Sequence, residues 1–235
     1  MLTTELCDRI ANSLPEILAG RDRIHLKPDN SYVSEGDLLV QSIAVAWLKE
    51  RLPDYELISE EMAPFDHHVW NPTGKYVVLD PIDGTENFIS GLREWGVGVS
   101  IYADGAHQES CIFLPELGER QITGMPMKRY RSRIVGLSSS LTAEDVANLK
   151  WQQGVEFRII GCAMYNLLMA ARGAFKVFEN VKGVNCWDIL PGLNLAREAG
   201  CNTWVDNVPY HGQMLFPTQK YRVRIEQGVT ENENS

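Results

Sequence analysis

The chain has 235 residues, of which 44% are hydrophobic and 23% are charged. This composition excludes a chain too polar to fold and leaves room for one large domain or two small ones. The 22 basic and 31 acidic residues give a formal net charge of -9, which argues against nucleic acid as a partner because nucleic-acid binders usually carry a basic stripe.

Two further features of the sequence bear on where the protein works. Every apolar run is shorter than the roughly 20 residues that a membrane-spanning helix needs, and Asp8 and Arg9 interrupt the first apolar stretch where a signal peptide would need to stay apolar. The five cysteines are scattered and form no C-x-x-C pair, which favours reduced thiols over disulfides or zinc. We therefore expect a cytoplasmic protein with no membrane partner.

The first part of the chain is predicted to be helical. Apolar residues recur at helical spacing over residues 4–20, with a kink expected at Pro15. A polar, turn-rich segment at 27–37 leads into a second helix that ends before Pro53. Asp37 stands in the first turn of that helix, where the helix dipole favours an acid, so its position alone leaves a structural and a functional role open.

A short strand at 55–58 is predicted to deliver Glu60 and Glu61 to its end. Paired glutamates are often surface charge, but a pair directly after an apolar strand makes a site plausible. The following loop contains His67 and His68. Because no further histidine or cysteine stands at a metal-ligand spacing from them, a solvated loop is favoured over a metal site.

The most informative stretch is D-P-I-D-G-T-E-N-F at residues 80–88. It follows the apolar run 76–79, which predicts a buried strand. Asp80 and Asp83 would then present two carboxylates at the strand end, and oxygen ligands are those that hard divalent cations prefer. A glycine and Thr85 follow at a possible helix start, where backbone N–H groups bind phosphate. We predict a metal-dependent site that handles a phosphate ester.

The remaining chain is predicted to form an antiparallel meander and then alternating strands and helices. The meander strands are expected at 95–102, 109–114 and 120–123, with a D-G turn at 104–105. Later strands are expected at 134–137, 157–160, 175–178, 202–205 and 221–225, and helices at 142–151 and 164–172. A last helix is expected to have Asp188 in its first turn and to end just before Gly200. Asp188 would lie in a first helical turn, as a cap or as a functional acid.

The one basic cluster, Lys128 to Arg133, has two possible interpretations. It could contact a phosphate or nucleic acid, but a solvated edge strand is favoured. The organisation that follows from the whole pattern is an α+β or α/β layered arrangement of two subdomains that share a cleft. They would comprise residues 1–133 and 134–225, followed by a disordered tail at 226–235.

The 80–88 stretch resembles the D-P-x-D-G-T-x-N-F signature of the inositol monophosphatase family. Four other motifs occur in that family's order: K-x-D-x-S-x-V-(T/S)-x-x-D from Lys27 to Asp37, the glutamate pair Glu60 and Glu61, the turn Gly161-Cys162-Ala163, and W-D at 187–188 followed by E-A-G at 198–200. The resemblance implies a layered αβαβα sandwich like those of inositol monophosphatase and fructose-1,6-bisphosphatase. The meander sheet would lie in its N-terminal half and a mixed sheet in its C-terminal half.

The resemblance also implies roles for individual residues. The ligands of two or three Mg²⁺ ions would be Glu60, Asp80, Asp83, Asp188 and the backbone carbonyl of Ile82. The catalytic residues would be Glu60 together with Thr85 and Asp37, which would orient the attacking water, and Glu61 would lie behind the ligands. The substrate would be bound by Asp83, Gly84, Thr85, Gly161, Cys162, Ala163, Glu179 and Asp188.

By the same resemblance the activity would be Mg²⁺-dependent hydrolysis of a small phosphorylated alcohol, with inositol monophosphate as the nominal substrate. Inhibition by Li⁺ and a homodimer are further expectations. The family alternatives are fructose 1,6-bisphosphate, a 3′(2′),5′-bisphosphonucleotide and histidinol phosphate, and a non-catalytic regulator on the same fold is the alternative of another class. The chain lacks the usual G-x-G-A-x-x-N-G hairpin, so its residues leave the substrate open.

Overall fold

The computed structural model describes residues 1–62, 65, 70–148 and 154–228. The predicted loop at His67 and His68, the predicted helix end at Trp151 and most of the predicted disordered tail lie outside these ranges. In the described part, no helix combines the length and the apolar character needed to cross a membrane.

The helices and strands are numbered in chain order. The helices in the described ranges are α1 (Leu2–Asn12), α2 (Leu14–Ala19), α3 (Glu35–Arg51), α4 (Thr85–Ile89), α5 (Ala143–Ala147), α6 (Ala163–Arg172) and α7 (Cys186–Glu198). The strands are β1 (Ile24–Leu26), β2 (Tyr32–Ser34), β3 (Glu56–Ser59), β4 (Tyr76–Asp83), β5 (Gly96–Ala103), β6 (Ala106–Leu114), β7 (Glu119–Ile122), β8 (Ile134–Leu137), β9 (Glu156–Ile159), β10 (Val177–Val184), β11 (Asn202–Val205), β12 (Val208–Pro209) and β13 (Tyr221–Glu226).

A five-stranded sheet has the order β3-β4-β5-β6-β7. Strand β3 runs parallel to β4, and the other neighbours are antiparallel, as the predicted meander requires. Successive side chains of strand β4 point to opposite faces of the sheet, and both faces are covered. Val77 and Leu79 pack in the core with α1 and α3, whereas Tyr76 and Val78 pack in the core with α6 and α7.

A six-stranded mixed sheet has the order β12-β11-β13-β10-β8-β9. Strands β9, β8 and β10 are parallel to one another, and β13 and β11 are antiparallel to their neighbours. Parallel strands end at the same edge of a sheet, and open α/β sheets bind ligands outside that edge. The chain that follows β8 and β9, together with the middle of β10, therefore lies where a ligand is expected.

Helices separate the two sheets and cover the outer face of the five-stranded one. Leu190 and Leu193 of α7 and Leu167 of α6 share one core with side chains of both sheets. Ile10 of α1 and Trp47 of α3 belong to the core on the other face of the five-stranded sheet. This layering confirms the predicted layered α/β sandwich. The sheets divide the chain between β7 and β8, although α6 and α7 pack on both sheets.

A buried polar network fixes α7 between the sheets. Asn194 donates from Nδ2 to the hydroxyl of Tyr102, at 2.8 Å, and to that of Ser110, at 3.2 Å. Its Oδ1 accepts from the hydroxyl of Tyr210 at 3.0 Å. His107 extends the network to Ser110 through Nε2 at 2.7 Å. Because buried polar groups are costly when unpaired, this network specifies one register of α7 against β5 and β6.

Several predicted elements need correction. The helix predicted over residues 4–20 is two helices, because the chain leaves helical geometry at Ser13. Pro15 lies in the first turn of α2, where backbone N–H groups have no partner within the helix, so the proline costs no hydrogen bond. The segment 27–37 contributes to a hairpin, β1–β2, that its polar composition did not reveal. Strand β10 continues to Val184, well past its predicted end at residue 178.

The basic cluster Lys128 to Arg133 is not an edge strand. Arg129 instead donates from Nη1 to the carbonyls of Ala171 and Ala199, both at 2.8 Å. These carbonyls lie at the ends of α6 and α7, where a cation complements the helix dipole. Lys128 lies over the ring of Tyr130 at 5.0 Å. At least part of the cluster therefore holds helix ends in place.

The polar network predicts the effect of Asn194→Ala. The substitution removes partners from three buried hydroxyls, so we expect a loss of about 1–3 kcal/mol in the free energy of unfolding. Urea unfolding followed by circular dichroism measures the loss. Asn202→Ala, at an exposed residue of β11, is the matched control, and equal stability of the two variants would show that the network contributes nothing.

His107 predicts a pH dependence of stability. Its pKa is lowered to about 4, mainly by burial and then by the charge of Arg197. The unfolded chain, with an ordinary histidine pKa near 6.5, then binds the proton more readily, so His107 costs stability as pH falls from about 6.5 towards 4. As pH falls over that range, the melting temperature of wild type should decrease more than that of His107→Gln. A difference that is constant from pH 7 to pH 5 would contradict this.

Candidate functional site

Three carboxylates from distant parts of the chain converge at one point. Glu60 follows β3, Asp80 lies in β4 and Asp188 lies in the first turn of α7. Their nearest oxygens all lie within 4.8 Å of one another. Two structural features produce the convergence. The parallel pairing of β3 with β4 ends at Ser59 and Leu79, so that Glu60 and Asp80 follow side by side. Helix α7 packs across β4 and β5. A cluster of this kind is what a divalent cation requires.

Asp80 is the most constrained member of the cluster. It is 0% exposed, and neither of its carboxylate oxygens has a hydrogen-bond partner in the described part of the chain. Burial raises the pKa of Asp80, and the charges of Glu60, Asp83 and Asp188 raise it further. A buried, unpaired carboxylate is unfavourable unless it is protonated or coordinates a metal. The residues present therefore fit a divalent cation.

Asp83 lies at the end of β4 and joins the cluster to α6. Its Oδ2 accepts from the thiol of Cys162 at 2.9 Å and from the backbone amide of Met164. Burial raises the pKa of Asp83 to about 6, although these two bonds act against the rise. Asp83 therefore caps the start of α6 while it lines the same cleft as Asp80.

The carbonyl of Ile82 lies where the pairing of β4 with β5 is irregular. The register between β4 and β5 shifts between Asp80 and Asp83, where Pro81 has no N–H to donate to a neighbouring strand. The carbonyl of Ile82 accepts instead from the hydroxyl of Thr85 at 3.0 Å. Ile82 lines the cleft, and its role as a metal ligand stays a prediction.

Thr85 and Asp37 lie within hydrogen-bonding reach of each other. The distance between Thr85 Oγ1 and Asp37 Oδ1 is 3.3 Å. The other carboxylate oxygen of Asp37 accepts from the amide of Ser34 at 2.8 Å and from its hydroxyl at 2.6 Å, which forms a capping box at the start of α3. Burial raises the pKa of Asp37, and the bonds from Ser34 partly offset it. Asp37 therefore caps α3, and its second carboxylate oxygen faces the hydroxyl of Thr85.

Lys27 is a site residue whose role the sequence did not reveal. Its ammonium group donates to Glu60 at 2.9 Å and to Glu61 at 2.8 Å. Burial alone would lower the pKa of Lys27, but the charge of Glu60 and the bonds to both glutamates raise it. The ion pairs hold the two glutamates side by side, with Glu61 behind Glu60 and almost buried. The match of Lys27 to the early family motif was the only signal.

Asn87 fixes the small-residue turn against the D-P-I-D-G-T-E-N-F stretch. Its Nδ2 donates to the carbonyls of Glu94 at 2.7 Å and Ile160 at 2.8 Å. Gly84 adopts a left-handed conformation with φ of 80°, and a Cβ there would lie 3.0 Å from Cβ of Cys162. The glycine is required on both counts. Asn87 and Gly84 thereby set the distance between β4 and the start of α6.

These residues open onto a cleft of about 340 Å³. It brings together the predicted residues Glu60, Asp80, Ile82, Asp83, Gly84, Thr85, Gly161, Cys162, Ala163 and Asp188. The cleft lining does not include Glu179, whose carboxylate pairs with Arg224 at 3.1 Å. The lining also contains residues that were not predicted from the sequence: Ser138, Ser139, Ser140, Asn166, Phe178, Asn180, Gly183, Val184, Asn185 and Lys220.

Comparisons with known proteins identify relatives that align with most of this chain. The inositol-1-monophosphatase of Mesorhizobium japonicum is 28% identical over 76% of this chain and 73% of its own length. The Nus factor SuhB of Xylella fastidiosa is 27% identical over 72% of this chain and 67% of its own length.

A solved structure of an IMPase/NADP phosphatase complexed with Mg²⁺ and phosphate has the same fold. Its TM-score is 0.79 at 16% identity, over 96% of this chain and 89% of that one. The model of the inositol monophosphatase family matches residues 5–230. The match spans both sheets and all the converging acids, and the chain therefore belongs to the inositol monophosphatase family.

Proposed function

We propose that this protein is a Mg²⁺-dependent phosphomonoesterase that hydrolyses a small phosphorylated alcohol. The observation that carries the proposal is Asp80, a fully buried carboxylate with both oxygens unpaired, at the point where Glu60 and Asp188 converge. Such a cluster is stable at neutral pH when cations neutralise it. The family includes phosphatases, and the similarity to an inositol-1-monophosphatase supports this reaction class.

Glu60, Asp80 and Asp188 would hold Mg²⁺ directly, with Asp83 and the carbonyl of Ile82 as further ligands for a total of two or three ions. Bound Mg²⁺ would screen the phosphate charge, make a water more acidic and stabilise the leaving oxygen. Lys27 orients Glu60 through its ion pair. Asp83 keeps the turn at Gly161 and Cys162 against the cleft through its bonds to α6.

Thr85 would orient the attacking water. Its hydroxyl has one proton, and two acceptors are in reach: the carbonyl of Ile82 at 3.0 Å and Asp37 at 3.3 Å. When the Ile82 carbonyl serves as a ligand, Asp37 is the remaining acceptor. The lone pairs of Thr85 Oγ1 can then accept from a water in the cleft. Asp37 is itself held rigidly by Ser34, so the Thr85 hydroxyl would be fixed in one direction.

The phosphate would lie against the amides of Gly84 and Thr85, both of which line the cleft. The turn at Gly161, Cys162 and Ala163 would border the alcohol part of the substrate. Glu179, expected there from the sequence, pairs with Arg224 instead, so Asn180 is the better candidate on that side. Lithium sensitivity, a homodimer and a cytoplasmic location are further expectations from the family.

A regulatory role is the second candidate function. The observation that favours it is the similarity to a Nus factor. Because of this similarity, the expectation from net charge that nucleic acid is not a partner is no longer supported. The complete set of acids in the cleft favours the enzyme, since a purely regulatory protein has no need to keep them. A cellular phenotype that survives Asp80→Asn would favour the regulatory role.

Asp80→Asn should separate metal binding from folding. We expect Mg²⁺-dependent phosphate release to fall at least ~10²-fold, because loss of even an indirect metal contact costs 10–100-fold. The variant should melt no lower than wild type without metal, because it removes a buried charge, and Mg²⁺ should raise its melting temperature less than that of wild type. Phosphate release from a phosphomonoester panel and thermal melts measure both.

Asp22→Asn, at an exposed aspartate, is the matched control and should behave as wild type. Full Mg²⁺-dependent activity in Asp80→Asn would refute the proposed function.

Thr85→Val and Thr85→Ser should differ sharply. Valine keeps the shape of threonine but removes the hydroxyl, so we expect kcat to fall by about 10²–10⁴-fold, the range for loss of proton positioning. Serine keeps the hydroxyl and should retain most of the activity. Steady-state kinetics at saturating Mg²⁺ measures kcat, and similar kcat values for the two variants would exclude a role for the hydroxyl.

A further inference from the structure

The wall of the cleft opposite the carboxylates is a separate chemical surface. Ser138 follows β8, Asn180 lies within β10 and Lys220 directly precedes β13. All three lie in the six-stranded sheet or at its edge, whereas Glu60 and Asp80 belong to the five-stranded one. If the acids and their cations hold the phosphate, the rest of the substrate faces this wall.

Ser138 has a hydroxyl group that can hydrogen-bond to a ligand in the cleft. It is 5% exposed, lines the cleft, and its hydroxyl has no hydrogen-bond partner among the described residues. Its backbone amide donates to the carbonyl of Glu179, which fixes the residue to β10. An unpaired buried hydroxyl costs free energy, and a polar group in the cleft would remove that cost.

Asn180 presents a donor on the same wall. It is 4% exposed, and its Oδ1 accepts from the backbone amides of Lys182 at 3.1 Å and Gly183 at 3.3 Å. These bonds fix the orientation of the amide group. They leave its Nδ2 group as the end that can donate to a ligand.

Lys220 is the only cation among the described residues that line the cleft. Lys27 pairs with Glu60 and Glu61, and Lys182 pairs with Asp145. Lys220 has no ion pair within the described part of the chain. Its stem lies over Gly183, where an added Cβ would be 3.3 Å from Lys220 Cβ. A lysine at the mouth of an acidic cleft, with no acid of its own, is available to an anion of the ligand.

We propose that the substrate carries a second anionic group, a phosphate or a carboxylate, and that Lys220 binds it with the help of Ser138 and Asn180. This inference rests on the proposed phosphatase function and narrows its substrate class. The three side chains offer donors, and Lys220, an exposed residue, adds a positive charge that would attract a second anion more strongly than a neutral polyol. A second anion also needs a cation outside the carboxylate cluster, in a chain of net charge -9, and Lys220 supplies it.

The test compares substrates that differ only in the second anion. Fructose 1,6-bisphosphate is compared with fructose 1-phosphate, and 3-phosphoglycerate with glycerol 3-phosphate, all with Mg²⁺. We expect wild type to favour the two-anion member of at least one pair by about tenfold in kcat/KM, the size of one hydrogen bond to a charged group. The pair that shows the preference identifies the anion as phosphate or carboxylate.

Lys220→Met should lower that preference towards one, and Lys220→Arg should keep most of it. Lys128→Met changes an exposed lysine outside the cleft and should keep the wild-type preference. Equal kcat/KM within both pairs in wild type, or a preference unchanged in Lys220→Met, would overturn the inference and leave the phosphatase function standing. Absence of Mg²⁺-dependent hydrolysis of all four compounds and of the wider phosphomonoester panel would overturn both.

Discussion

Mutual repulsion of buried carboxylates is the constraint around which this molecule is arranged. Asp80 lies inside β4 with no hydrogen-bond partner in the described chain, and Glu60 and Asp188 approach it from two other elements. Packing must supply the free energy that holds the three acids together. The buried faces of β4 and the Asn194 network supply it, because they fix α7 against the sheet independently of the acids. A bound cation would then reduce the repulsion among acids that the scaffold already holds together.

The acids near the cleft also organise local structure. Asp37 caps α3, Asp83 caps α6, and Asp188 accepts from the amide of Asn185 at the start of α7. Three helix starts therefore surround the cleft. Since the positive end of a helix dipole lies at its start, this arrangement favours negative charge in the cleft as well as at its ligands. A capping role and a functional role are thus compatible for these residues.

The sequence predicted the layered fold and the position of each acid on its strand or helix. Apolar runs before Glu60 and Asp80 were long enough to indicate buried strands. The contacts of Lys27, Asn87, Ser138 and Lys220 were not predictable, because each joins segments far apart in the chain. Strand β1 was missed because all its residues are exposed. The end of β10 was missed because polar residues and a glycine follow Phe178 and give no apolar run.

Lys27 gives the β1–β2 hairpin an unusual kind of anchor. The residues of β1 are exposed on every side, so this strand has no apolar core of its own. The turn that follows it is tied to the cleft by the two glutamate ion pairs. Electrostatic attachment weakens as the glutamates are neutralised, whereas hydrophobic attachment does not. Neutralising Glu60 or Glu61 would therefore loosen the turn at Lys27, whereas Val33 and Ser34 of β2 are held by burial.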